Sequence, residues 1–320
     1  MNIFHKVAFQ GLRKNRTRTL VTVIGVALSA ALITAVATFA VSLQNYMVNG
    51  AIAKSGDWHV EFPDVDQDFV REQAGDSRVA NLTSFENVGY AMLEDGKNPD
   101  KPYAFIAGFC EDTFDTLPVQ LVSGRLPENS REILVPVHLA ANGGVKFSVG
   151  DTLTLTAGTR QAGDEVLSQH DPYRAGEESL TTGTEKTYTV VGICQRPAFE
   201  EHSAPGYTLI TIGDGGNAKR RVSAFAALKK TGQIQTYAEE AARGGAYVLN
   251  DNVLRFLGAS DDTLFNTLLY STGIIVILLV MLGSVFMIYN SFNISLNERT
   301  HQFGILMSVG ATAKQLRNSV

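Results

Sequence analysis

The sequence predicts a membrane protein: transmembrane helices plus an α+β extracytoplasmic domain between them. Three observations predict it. The chain has 320 residues with 27 Lys and Arg against 32 Asp and Glu, yet residues 19–53 and 263–297 hold no charge at all. Basic residues crowd the outer flanks of both gaps. Between the gaps, strand-like and helix-like runs alternate. The averages conceal this. A hydrophobic content of 45%, a mean hydropathy of +0.03 and a pI of 5.7 describe a mildly acidic soluble chain. They exclude a disordered chain, two cysteines exclude a disulfide scaffold, and the acidic balance argues against nucleic acid as a partner.

Hydrocarbon explains the gaps. A charge near the bilayer centre costs about 3 kcal/mol or more, and a spanning helix needs about 20 apolar residues. The apolar runs at 20–43 and 264–288 are both long enough. A cleaved signal peptide is a rival for the first run, with Thr38, Phe39 and Ala40 as a small-residue site, but its apolar length exceeds the usual signal core. A buried helix of a soluble core is a rival for the second, although such a helix does not need 35 uncharged residues.

Orientation follows from the flanks. Lys6, Arg13, Lys14, Arg16 and Arg18 precede the first run without an acid, and Arg299, Lys314 and Arg317 follow the second against Glu298 alone. Basic flanks stay in the cytoplasm. The ends carry +5 and +2, leaving −12 on residues 54–262. The expectation is a multi-pass protein of the cell membrane with a cytoplasmic N-terminus and an acidic domain outside.

Residues 1–18 read as an amphipathic cytosolic helix on membrane lipid, with Ile3, Phe4, Val7, Ala8 and Leu12 at helical spacing. A merely basic flank is the alternative. The first transmembrane helix, 19–44, carries small residues four apart: Gly25 with Ser29, Ala30 with Thr34, Ala31 with Ala35. That spacing lets another helix approach closely. Residues 45–259 form the extracytoplasmic domain. Residues 260–296 form a stalk and second transmembrane helix, with Ser260 as N-cap and Asp261 and Asp262 at the positive end of the dipole.

Within the outer domain, strands are expected at 58–62, 103–109, 132–135, 152–156, 188–194, 207–212 and 222–228, and helices at 65–74, 112–117 and 234–242. Residues 158–186 are polar and poor in large apolar side chains, and are expected to be a flexible excursion between two strands.

Few residues here suggest chemistry. Asp64, Asp66 and Asp68 have the alternation of a calcium loop, but Phe69 replaces its glycine and Gly75 its final glutamate, so a helix start is preferred. His5, His59, His138, His170, His202 and His301 have no metal-ligand spacing. Glu200, Glu201 and His202 form the densest polar cluster, which a loop explains equally well. Gly96-Lys97 is followed by Asn98, so no phosphate-binding loop is present. Cys110 and Cys194 both lie outside, open either to a disulfide or to two small buried residues.

The residues after the second run decide the reading. From Ser291 the chain passes through Glu298-Arg299, then Phe303, Gly304, Ile305, Leu306 and Met307, to Gly310-Ala311-Thr312. This resembles the signature after the second span of FtsX-like permeases, the membrane subunits of MacB-type ABC transporters. Gln302 stands where many members have Glu. More loosely, Gly124-Arg125-Leu126-Pro127 with Glu132-Ile133-Leu134, then Val149-Gly150-Asp151-Thr152, then Val190-Val191-Gly192, resembles the family's periplasmic core domain.

Independently of the family, Phe303, Leu306, Met307 and Gly310 fall on one helical face, Gly310 is a helix stop, and Thr312 with Gln315 makes a capping box. A short cytosolic helix, 297–311, is therefore expected before a new transmembrane helix beginning at 312–320. The resemblance implies that Glu298, Arg299, Gln302, Phe303, Gly304, Leu306, Met307 and Gly310 meet an ABC ATPase subunit. It implies a permease with no catalytic site of its own, ATP and Mg being bound by that ATPase. It also implies a second permease half, as homodimer, heterodimer or internal repeat, and a chain that normally continues into further spans, so this one reads as truncated. Two alternatives share the topology: a two-span sensor or receptor, and a permease-like regulator of cell-wall hydrolases.

Overall fold

A computed structural model describes residues 16–181, 183–214 and 220–308. Two compact units are present: residues 46–262, and residues 1–45 together with 263–320. The expected helix over residues 1–18 falls almost wholly outside the described residues, as does Gly310.

The second unit contains one long helix and most of another, whose last residues, 46–55, belong to the first unit. The first helix, α1, spans Arg16–Ser55. The last, α7, spans Thr263–Ser308, 46 residues without a break, or roughly 70 Å at 1.5 Å per residue. Each contains a stretch apolar enough to cross a bilayer, with mean hydropathy 2.2 and 2.5, and only 6% of either stretch is buried. They touch at a small residue. Ser29 is buried, its hydroxyl donating to the Gly25 carbonyl (3.0 Å) and lying 3.4 Å from Met287 Sδ. Ala31 and Ala35 are exposed instead, while Gly25 and Val36 are half-buried. The sequence separates a transmembrane helix ending at 296 from a cytosolic helix starting at 297. The structure runs one helix through both. No proline lies between 263 and 308, and a lone Gly304 costs about 1 kcal/mol, too little to break so long a helix. Helix α7 begins at Thr263, and the Ser260 hydroxyl accepts from the Asp262 amide (3.1 Å).

The other unit is built on a ten-stranded mixed sheet. Its strands are β1 (Val60–Val65), β2 (Val79–Met92), β3 (Tyr103–Phe109), β4 (Leu121–Gly124), β5 (Glu132–Pro136), β6 (Thr152–Ala157), β10 (Thr184–Cys194), β11 (Gly206–Ile212), β12 (Val222–Leu228) and β13 (Val248–Leu249). The order is β13-β1-β12-β2-β3-β11-β5-β10-β4, with β6 on the first half of β10. Pairs β3/β11 and β5/β10 are parallel; the rest are antiparallel. Both faces are covered. From β3, Tyr103, Phe105, Ala107 and Phe109 enter one core while Ala104 and Ile106 enter the other. That is why this strand reads as an unbroken apolar run.

Helix α2 (Gln67–Ala74) starts on Asp66, whose carboxylate accepts from the Phe69 amide (2.8 Å). This is the helix start preferred over the calcium loop. Helices α3 (Glu111–Thr116) and α4 (Val137–Ala141) follow β3 and β5. Helix α5 (Ile234–Ala242) buries Ile234, Tyr237, Ala238 and Ala241, one face at helical spacing, against Phe62 and Leu228 of β1 and β12. A short α6 (Asp251–Leu254) precedes the stalk.

The expected flexible excursion is corrected. Strands β7 (Arg160–Ala162), β8 (Glu165–Leu167) and β9 (Ser179–Leu180) form a small sheet of their own. At its centre Arg160 and Glu178 are fully buried and joined by two bonds of 2.9 and 2.7 Å. The guanidinium also donates to the Ser168 and Asp171 carbonyls (2.6 and 3.0 Å) and lies 5.4 and 5.5 Å from the rings of Tyr90 and Tyr103. A buried charge network does here what apolar side chains do elsewhere, so composition could not reveal it. The main sheet makes room at Gly89, whose φ is +141° and where a Cβ would sit 2.7 Å from the Gly158 oxygen. Tyr90 and Gly158 then exchange two backbone hydrogen bonds of 2.8 Å.

Candidate functional site

The residues expected to meet an ATPase, Gly310 apart, lie together on α7. Glu298, Arg299, Gln302, Phe303, Gly304, Leu306 and Met307 occupy its last turns, and Gly304 and Met307 are exposed, Met307 by 57%. Helical spacing places Phe303, Leu306 and Met307 at positions i, i+3 and i+4 of one face.

The outer motifs converge in three dimensions. Gly124 ends β4 opposite Gly192 of β10 with φ at +80°, and a Cβ there would lie 2.2 Å from the Val191 oxygen. Arg125 then grips Glu132 with both guanidinium arms (2.7 Å each), while the Glu128 amide also donates to Glu132 (2.8 Å). The Arg125 bonds lead in holding the Glu132 carboxyl at about 2, helped by the Glu128 amide. The Gly150 amide donates to the Val190 carbonyl, and the Val190 amide to the Asp151 carbonyl. All three motifs therefore knit the edge around β10. They specify architecture rather than catalysis.

Two polar centres were not legible as such. Glu200, fully buried, accepts from Lys101 (2.7 Å), from the Thr208 amide (2.8 Å) and lies 2.7 Å from His138 Nε2. Burial opposes its charge, but His138 and Lys101 hold the carboxyl below the usual carboxylate range. His170, on the small sheet's connection, sits between Glu61 of β1 (3.2 Å) and Glu201 (3.1 Å). Burial disfavours its charge, yet the two carboxylates push the imidazole up to about 9. Only the cluster of Glu200, Glu201 and His202 hinted at either centre, because the partners come from remote segments.

The His170 clamp has a pH signature. A folded pKa of about 9 lies above the ordinary value of 6.5. Its contribution is therefore fully present below pH 6.5 and is lost as pH rises through 9, an effect of about 3 kcal/mol by linkage. Thermal unfolding of wild type and His170→Asn between pH 6 and 10 should show the two curves converging at the alkaline end.

The histidine just before β1 is structural. His59 is buried, its Nδ1 accepts from the Leu228 amide (2.8 Å), and burial lowers its pKa. Both cysteines are free. Cys110 is exposed, contrary to the reading of two buried residues, whereas Cys194 is buried and its thiol is pushed up to about 12 by that burial. Among the described residues no group of three His, Cys, Asp or Glu is placed to hold a metal.

A long apolar helix on either side of a mixed α/β domain, with an exposed helical tip after the second, defines a membrane-anchored extracytoplasmic module. The family profile of the MacB-like periplasmic core domain matches residues 19–244, and that of the FtsX-like permease C-terminal region matches residues 274–320. The first match alone covers more than two thirds of the chain, and the protein belongs to the FtsX/MacB-type ABC transporter permease family. Members are permease components of ABC transporters, generally non-catalytic, that work with an ABC ATPase subunit.

Similar solved structures include the periplasmic region of MacB from Actinobacillus actinomycetemcomitans, 11% identical, covering 65% of this chain and 95% of that one at a TM-score of 0.34. The extracellular domain of the noncanonic ABC-type transporter YknZ from Gram-positive bacteria is also 11% identical, with 60% and 98% covered and a TM-score of 0.32. A domain of a permease protein from Porphyromonas gingivalis is 12% identical, with 59% and 81% covered and a TM-score of 0.31. No curated protein sequence matches the chain.

Proposed function

We propose that this permease couples ATP hydrolysis on a separate ATPase subunit to movement of its outer domain. The observation that carries the reading is the continuity of α7. One unbroken helix follows directly on the outer domain at residue 262 and extends through the turns from Glu298 to Met307. Each turn is held by i to i−4 hydrogen bonds, so a push on one end of such a rod is delivered at the other. Closure of the ATPase would move the tip, with ATP and Mg bound on that subunit and no substrate path needed through the bilayer. Ser29 and Gly25 on α1 supply the close packing that keeps the two helices moving together, and a second permease half would complete the assembly.

The native thiol offers a test of orientation. The basic flanks support a cytoplasmic N-terminus with residues 54–262 outside. A membrane-impermeant maleimide should label Cys110 in right-side-out vesicles and not in inverted ones, with Cys110→Ser abolishing the signal; labelling confined to inverted vesicles would reverse the topology. Coupling is tested by purification from native membranes. The double variant Phe303→Asp, Leu306→Asp should recover at least tenfold less ATPase than wild type, and unchanged recovery would remove the tip from the interface.

A further inference from the structure

Beside Glu200 the outer domain contains a cavity of about 500 Å³, whose walls include Asn98, Lys101, His138, Asn142, Arg196 and His202. Three separate segments build it: the β2–β3 connection, helix α4 with the residue that ends it, and the β10–β11 connection. Ala204 is the one apolar residue of the lining, and the others bring polar or charged groups together with their aliphatic stems. Lys101, Arg196 and two histidines face a single acid, Asp100. Glu200 is not part of the lining; it lies behind, fully buried, where it fixes Lys101 and His138.

The donors are arranged ahead of any ligand. The Lys101 side chain is only 7% exposed and donates to Glu200, with its ammonium 5.0 Å from the Tyr207 ring. Asn142 Oδ1 accepts from the Tyr207 hydroxyl (2.5 Å) and from Asn98 (2.6 Å), which fixes the flip of that amide and leaves its NH2 as a donor. The outer wall is more telling. The Arg196 guanidinium lies on His202 with Nη1 2.7 Å from Nδ1 and Nη2 2.7 Å from Nε2. A guanidinium only donates, and an imidazole carries at least one N–H, so both groups bring donors to this wall. An anionic oxygen entering there would accept from both groups.

We infer that this cavity is a binding site for a small polar anion, a phosphate or carboxylate group carried on a hydroxylated body. Arg196, His202 and Lys101 receive the charge, and Asn98, Asn142 and Ser203 receive the hydroxyls. The volume suits a molecule of sugar-acid size and excludes a folded partner. This goes beyond the coupling reading and does not depend on it, because binding is read without the ATPase.

Calorimetric titration of the full chain in lipid nanodiscs at about 0.15 M salt tests it, using inorganic phosphate, glucuronate and glucose. One or both anions should bind, identifying a phosphate or a carboxylate site, while neutral glucose should not. The double variant Arg196→Gln, His202→Gln should weaken binding at least tenfold with an unchanged unfolding temperature, since both residues lie at the cavity's outer wall and not in the Glu200 centre. The inference is overturned if neither anion binds. It is equally overturned if the double variant binds as wild type does, which would assign the anion to the basic flanks of the membrane helices.

Discussion

Glu178→Gln is expected to lower the unfolding free energy of the outer domain by about 3–5 kcal/mol, the usual cost of stripping one partner from a buried ion pair. Arg160 would keep its charge at zero exposure, with at most one amide oxygen and an NH2 donor in place of the two carboxylate oxygens. Burial opposes the charge on Glu178, but Arg160, the Arg174 amide and Tyr103 hold the carboxyl below its ordinary value. The pair's contribution is therefore present above pH 4.5 and is lost as pH falls through the lower folded value. Removing both charges together, Arg160→Met with Glu178→Met, should cost much less than the single change, because no lone charge remains buried. Urea unfolding of wild type and these variants measures this. Near-equal values for single and double variants would mean that the pair itself does not hold the small sheet in place.

The second large effect is expected at Gly124. With φ at +80°, any other residue pays for a left-handed backbone, and a Cβ would meet the Val191 oxygen at 2.2 Å. A carbonyl within a sheet cannot swing aside as a flexible side chain can, so β4 would have to leave β10 and take the Arg125–Glu132 clasp with it. Gly124→Ala should cost about 2–4 kcal/mol in the same unfolding experiment. A loss below about 0.5 kcal/mol would show that the edge tolerates rearrangement.

These two positions mark where the sequence was readable and where it was not. Gly124 belongs to a local motif, and its partners Arg125 and Glu132 lie within eight residues, so pattern alone located it. Strands β3 and β12 were legible because both of their faces are buried, and α5 because its apolar face keeps helical spacing. Strand β2 was missed. It packs centrally, but its fourteen residues mix Asn, Ser, Glu and Gly with spaced apolar positions, and a bulge at Gly89 interrupts the alternation.

The small sheet was missed for a deeper reason. Arg160 meets Glu178 across 18 residues, and nothing in a polar stretch announces which charge will be buried. The segment from Glu298 to Met307 was legible as a motif, while the continuity of α7 through it was not. The polar run of Glu298, Arg299, Thr300 and His301 reads as a membrane boundary, and a boundary in environment need not be a boundary in helix. Glu200 stood out in sequence only as one member of a charged triplet. Its partners Lys101 and His138 are separated from it by 99 and 62 residues, so only folding shows that it organises a cavity.

Transmission of force by α7 between an ATPase and the outer domain can be read with an environment-sensitive fluorophore on Cys110. In the complex assembled with its ATPase, addition of ATP and Mg should change the fluorescence in wild type. Gly283→Pro, which interrupts the hydrogen-bond ladder in the middle of the rod, should retain the bound ATPase and its hydrolysis but lose the fluorescence response. A response of wild-type size in the Gly283→Pro complex would show that α7 does not carry the movement.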